Sequence, residues 1–217
     1  MDFQQARFNM VEQQIRTWEV LDQAVLDALF EVPREHFVPE AYRQLAFSDI
    51  RIPLGMGQFM MYPRVEARML QALNPGPRDR VLEIGTGSGY VTALLAHFAS
   101  SVVSVEIYAA FTDGAAKKLR AREVDNVALI TADGIGGYPA QGPYDIIAIT
   151  GSFARRQPGI EAQLAIGGRL FVVVGTGPAM EALLVTRSTE QAWTVESLFE
   201  TELEPLVGAE TPPQFAF

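Results

Sequence analysis

Cysteine is absent from the 217 residues, and with it disulfides, thiolate metal sites and cysteine nucleophiles; a reducing compartment is compatible with that. Histidine is nearly absent. His36 and His97 stand apart, with no cluster of His and carboxylates at ligand spacing, so no metal site is expected. No stretch approaches the ~18 apolar residues of a membrane helix, and the first residues carry no basic region followed by an apolar run. A cytoplasmic protein without a membrane partner is the expectation. Basic residues are the minority, 17 Lys and Arg against 26 Asp and Glu, giving a formal charge of −9. Without a compensating basic stretch, that charge repels nucleic acid over most of the surface, so no nucleic-acid partner is expected. What is present, 48% hydrophobic and 20% charged residues, suits one sizeable globular domain with an appendage.

The order of patterns defines the appendage. Met10, Val11 and Ile15, then Leu21, Val25, Leu26, Leu29 and Phe30, recur at the ~3.6-residue period of buried helical faces and predict two helices within residues 3–30. Pro33 and Pro39 break helical propagation, and the Gly- and Pro-rich apolar stretch 52–63 reads as a shaped loop within an irregular segment. A helix resumes over 64–73. Strand, Gly-rich turn, helix and strand follow at 80–84, 90–98 and 102–106, which is a βαβ unit. Further elements are expected as a helix over 109–122, strands over 127–131 and 144–150, a helix over 159–164 and a strand over 168–174. Residues 180–186 and 193–200 suit a closing antiparallel pair, and 211–217 an extended tail. The predicted fold is α/β and Rossmann-like, a mostly parallel sheet with helices on both faces and an N-terminal helical cap. Residues 1–73 form the cap and substrate-side loop, and 74–217 the ligand-binding domain of one compact unit.

The segment Val81-Leu-Glu-Ile-Gly-Thr-Gly-Ser-Gly89 opens that domain. Small residues between a strand and a helix let a ligand approach backbone amides, a signal shared by several nucleotide sites. A dinucleotide fingerprint wants a third glycine where this chain has Tyr90. Glu83, two residues before the turn, repels a pyrophosphate and attracts an ammonium or sulfonium ligand. S-adenosylmethionine carries both cations. Glu106, 21 positions after Gly85, ends the next strand where an acidic side chain accepts ribose hydroxyls, and Asp133 with Gly134 ends the third, facing the adenine. Singly, Glu106 also reads as an exposed strand end and Asp133 as a turn former. Jointly, three carboxylates on the carboxyl edge of one sheet point to a bound nucleoside.

The chain resembles the protein-L-isoaspartate O-methyltransferase family along most of its length, through Val32-Pro-Arg-Glu-His-Phe-Val-Pro39, Pro53-Leu-Gly-Met-Gly-Gln58, the segment 81–90, Val105-Glu106, Asp133-Gly134 and Gly167-Gly-Arg-Leu170, in the family's order. The resemblance implies a class I methyltransferase that uses S-adenosylmethionine, releases S-adenosylhomocysteine and methylates the free α-carboxyl of isoaspartyl residues in damaged proteins. The expected donor site is Gln58, Glu83, Gly85, Thr86, Gly87, Ser88, Gly89, Glu106, Ile107, Asp133, Gly134 and Thr150. Met61 and Thr150 are expected at the reacting end.

One motif departs from the family. After Gly57-Gln58 the family has Thr-Ile-Ser, where this chain has Phe59-Met60-Met61. A carboxylate desolvated against Phe and Met without donors costs several kcal/mol. Either other groups bind it or the acceptor differs, and a small molecule or a non-catalytic donor-binding role are the alternatives. Residues 59–62 read equally as an apolar lid or as core packing. Thr150 and Ser152 are the nearest hydroxyls left to orient an acceptor, or else strand-end caps. A carboxylate acceptor needs no base, which fits a site without histidine.

Overall fold

The computed structural model describes residues 2–209, so the expected extended tail at 211–217 lies outside the described residues. Helix α1 (Phe3–Met10) starts where Asp2 accepts the Gln4 and Gln5 amides, satisfying donors that a helix start leaves open. It runs on through a π turn at Val11–Ile15 and a 3₁₀ turn at Arg16–Trp18. Asp22 caps α2 (Gln23–Glu31) in the same way. Between α2 and α3 (Pro63–Leu73), the expected irregular segment contains two 3₁₀ turns and a hairpin of β1 (Pro53–Gly55) and β2 (Gln58–Phe59).

The main sheet consists of β3 (Arg80–Ile84), β4 (Ser101–Glu106), β5 (Val127–Thr131), β6 (Tyr144–Phe153), β7 (Leu164–Thr176), β8 (Ala179–Arg187) and β9 (Trp193–Glu200). Its order is β5-β4-β3-β6-β7-β8-β9, parallel from β5 to β7 and antiparallel from β7 to β9. Helices α4 (Tyr90–Phe98) and α5 (Ala109–Arg120) carry the crossovers, while the expected helix over 159–164 is the single turn α6 (Pro158–Glu161). Strand β7 therefore begins at Leu164, four residues earlier than the apolar pattern suggested.

Alternation along the strands divides the core. Val81, Val102, Ile146, Ala148 and Phe171 join Leu94, Leu95 and Ala115, together with Met10, Leu26, Met60, Met61 and Leu70 from the cap, in one apolar cluster. Leu82, Ile84, Val103, Ile147, Leu170 and Val172 face the opposite way, against Ile160 and Tyr144. The cap thus packs into the sheet's own core on one face. Strand order reverses between β3 and β6, and ligands of open α/β sheets bind at such a switch point.

Candidate active site

A cleft opens at that switch point, on the carboxyl ends of β3, β4 and β6. The glycine turn forms its floor because only glycine fits there. A Cβ on Gly85 would run into the Thr150 hydroxyl, and Gly85, Gly87 and Gly89 all hold positive φ, at 98°, 50° and 83°. Glu106 then fixes the turn. Its carboxylate accepts Gly87 N–H at 2.8 Å and Tyr108 N–H at 3.0 Å, so one side chain ties the glycine turn to the loop after β4. Lys118 donates from α5 to the carbonyls of Phe37 (2.7 Å) and Ser88 (3.3 Å), joining the cap to the same turn.

Most residues expected at the donor site line this cleft: Gln58, Gly85, Thr86, Gly87, Ser88, Glu106, Ile107, Asp133, Gly134 and Thr150, with Met61 beside them. Gly89 does not; it caps α4, packed against Ala115, where a Cβ would come within 2.9 Å. Glu83 does not either, which corrects the expectation that its charge faces the ligand. Strand alternation turns Glu83 to the helical face, fully buried, where the Thr92 and Ser104 hydroxyls donate to it at 2.5 Å each, and Ser104 shares a 2.5 Å bond with Thr86. Burial pushes the Glu83 carboxyl up to about 8, the two hydroxyls opposing, so its proton is largely retained at neutral pH. It supports the turn from behind.

The reacting end differs from expectation in its hydroxyls. Thr150 directs Oγ1 to the carbonyls of Ile84 (3.0 Å) and Gly85 (2.6 Å), and buried Ser152 donates to Leu203 O at 2.8 Å. Both are engaged with backbone. Met60 and Met61 belong to the core and also line the cleft, so the lid and packing readings hold together, while Phe59 stays 38% exposed. His36 and His97 lie outside the cleft lining, near Glu35 and Glu31 respectively.

Two contributors escaped the sequence reading. Leu203, Glu204, Leu206 and Val207 form a wall after the last strand, held where Ser152 N donates to Glu204 O (2.9 Å) and Leu206 N to Ser152 O (3.1 Å). Glu66, on α3, also lines the cleft and pairs with Arg34. No local pattern marks either, since both are brought in by tertiary packing. The described lining thus carries Glu66, Glu106, Asp133 and Glu204 and no basic side chain. An acidic cleft with apolar Ile107, Ile135 and Leu206 suits a ligand that joins a nucleoside to a cation, and the residues present fit S-adenosylmethionine.

Known proteins agree with this fold. The chain is 40% identical to Protein-L-isoaspartate O-methyltransferase 1 of Rhodopseudomonas palustris (strain HaA2), covering 96% of this chain and 85% of the relative. It is 38% identical to Protein-L-isoaspartate O-methyltransferase 1 of Geotalea uraniireducens, covering 88% and 87%. Among solved structures, a protein-L-isoaspartate O-methyltransferase superposes with a TM-score of 0.81 at 24% identity, over 93% of this chain and 66% of that one. A Plasmodium falciparum structure described as a complex with S-adenosyl-L-homocysteine superposes at 0.78 and 17% identity, over 95% and 98%. The family described as Protein-L-isoaspartate(D-aspartate) O-methyltransferase matches residues 5–211. The chain belongs to the protein-L-isoaspartate O-methyltransferase family.

Proposed function

We propose that this S-adenosylmethionine-dependent methyltransferase esterifies the free α-carboxylate of isoaspartyl residues in protein or peptide chains. Glu106 carries the donor half of the reading: it holds one amide of the glycine turn and one of the loop after β4, and it lines the cleft, where ribose hydroxyls need an acceptor. Gln58, Gly85 to Ser88, Ile107, Asp133 and Gly134 complete the donor's surroundings. When bound, the donor supplies a sulfonium methyl: a carboxylate oxygen forms the new C–O bond as the C–S bond breaks and its electron pair stays on sulfur. The chain's task is to hold the acceptor in line and exclude water. Phe59, Met60, Met61 and Leu203 are the apolar groups that keep water out. An anionic acceptor needs no base, in keeping with a cleft lining without histidine.

Incubation with labelled donor and an isoaspartyl peptide is expected to yield a base-labile methyl ester, absent with the aspartyl isomer; no ester at high enzyme concentration overturns the acceptor. A second reading, an apolar small-molecule acceptor, is favoured by Phe59-Met60-Met61 and gains if donor turnover requires such a compound. A cytoplasmic location goes with either reading and suits a cysteine-free chain. Glu106→Ala is expected to weaken S-adenosylhomocysteine binding by ~1–3 kcal/mol through lost hydrogen bonds. Calorimetry showing unchanged affinity removes Glu106 from the ribose.

A further inference from the structure

With Glu66 paired to Arg34 and Glu204 to Arg51, the lining carboxylates Glu106 and Asp133 still repel the acceptor proposed above, unless a cation accompanies it. Arg51 stands at that place. A second groove shares Leu203 and Glu204 with the donor cleft and is lined also by Arg51, Ser152, Thr176 and Met180. Arg51 is the one basic residue of its described lining, and Arg51 Nη1 donates to Glu204 Oε2 at 2.5 Å across the seam between the two cavities. Its guanidinium carbon lies 5.3 Å from the Phe59 ring centre and 6.0 Å from that of Tyr62. Stacking on aromatic rings holds a guanidinium in place while leaving its N–H edge open. Only Nη1 is engaged: Nε and Nη2 make no hydrogen bond among the described residues, and the side chain is 26% exposed. That free edge is the side-on fork that takes a carboxylate with two parallel N–H···O bonds.

The geometry points to Arg51 as the residue that recognises the acceptor carboxylate, replacing with one stacked guanidinium the hydroxyls missing at Phe59 and Met61. Phe59 then has a positive use. It is one of the rings that aim the fork, while Glu204 holds the remaining nitrogen and keeps Arg51 at the seam. The site therefore selects peptides by a free carboxylate and discriminates against the carboxamide. This inference rests on the isoaspartyl reading for its substrate, but the binding preference is measurable without turnover.

The test is calorimetric titration of an isoaspartyl hexapeptide and its α-carboxamide analogue into the protein saturated with S-adenosylhomocysteine. Wild type is expected to bind the acid at least about tenfold more tightly, the worth of charge-assisted hydrogen bonds. Arg51→Gln is expected to abolish that preference, with the affinity for S-adenosylhomocysteine unchanged. Arg51→Lys, which keeps the charge and loses the fork, is expected to retain only part of it, and serves if the glutamine variant does not fold. Equal binding of acid and amide by wild type, or a full preference in Arg51→Gln, overturns the role of Arg51. A preserved preference without methyl ester formation overturns the isoaspartyl activity and leaves carboxylate recognition standing.

Discussion

Replacing Arg34 by methionine is expected to destabilise the protein by ~3–5 kcal/mol, the usual cost of removing one partner from a buried ion pair. Arg34 and Glu66 are each about 1% exposed. The guanidinium donates to the Glu66 carboxylate, to Ala46 O at 2.9 Å and to Met61 O at 3.0 Å, and lies 4.9 Å from the centre of the Tyr90 ring. Burial pushes the Glu66 carboxyl up and the adjacent Arg34 pulls it back, so without Arg34 the residue is left to take a proton inside the core. The double substitution Arg34→Met with Glu66→Met removes both charges at similar volume and is expected to recover most of the loss. Urea midpoints decide it. A double variant as weak as the single one would show that the pair itself is not what the core depends on. Activity in the single variant is expected to fall as well, because Met61 O is one of the three acceptors and Met61 lines the cleft.

Stability is also expected to decline from about pH 5 to pH 8, with Glu83 as a main cause. Its folded carboxyl is raised to about 8 from an ordinary 4.5, so between those values the folded chain keeps a proton that the unfolded chain releases. Stability from this group is therefore complete below the unfolded value and is lost as pH rises through the folded one, amounting to ~5 kcal/mol at most for a shift of this size. Glu66, raised as well, acts with the same sign. Glu83→Gln cannot titrate, and its urea midpoint is expected to fall less steeply over this window than that of wild type. Parallel curves for the two proteins would mean that Glu83 is ionised in the fold.

The Rossmann half was legible because its signals are local. Strand β3, helix α4, strand β5 and strand β9 fall on the residues that alternation, the glycine turn and the polar turn before Trp193 indicated. Strand β6 ran on to Phe153 because a register shift between Ala148 and Ser152 lets it pass Gly151 and keep pairing with β7. Glu83 was misread for a physical reason: proximity to the glycines suggested the ligand, whereas strand parity sends position 83 toward the helices along with Val81. Neither Arg51 nor the wall at 203–207 announces itself locally, because each acquires its position from a partner far along the chain, Glu204 for one and Ser152 for the other. The donor half of the site was written in motifs, and the acceptor half in packing.

That late wall sets how short the chain can be cut before the cleft loses a side. A ribosome that has just added Glu200 has delivered every strand of the sheet and the whole glycine turn, yet not Leu203, Glu204, Leu206 or Val207. A chain shortened at Glu200 thus keeps the Gly-rich fingerprint and every strand while lacking one side of the cleft.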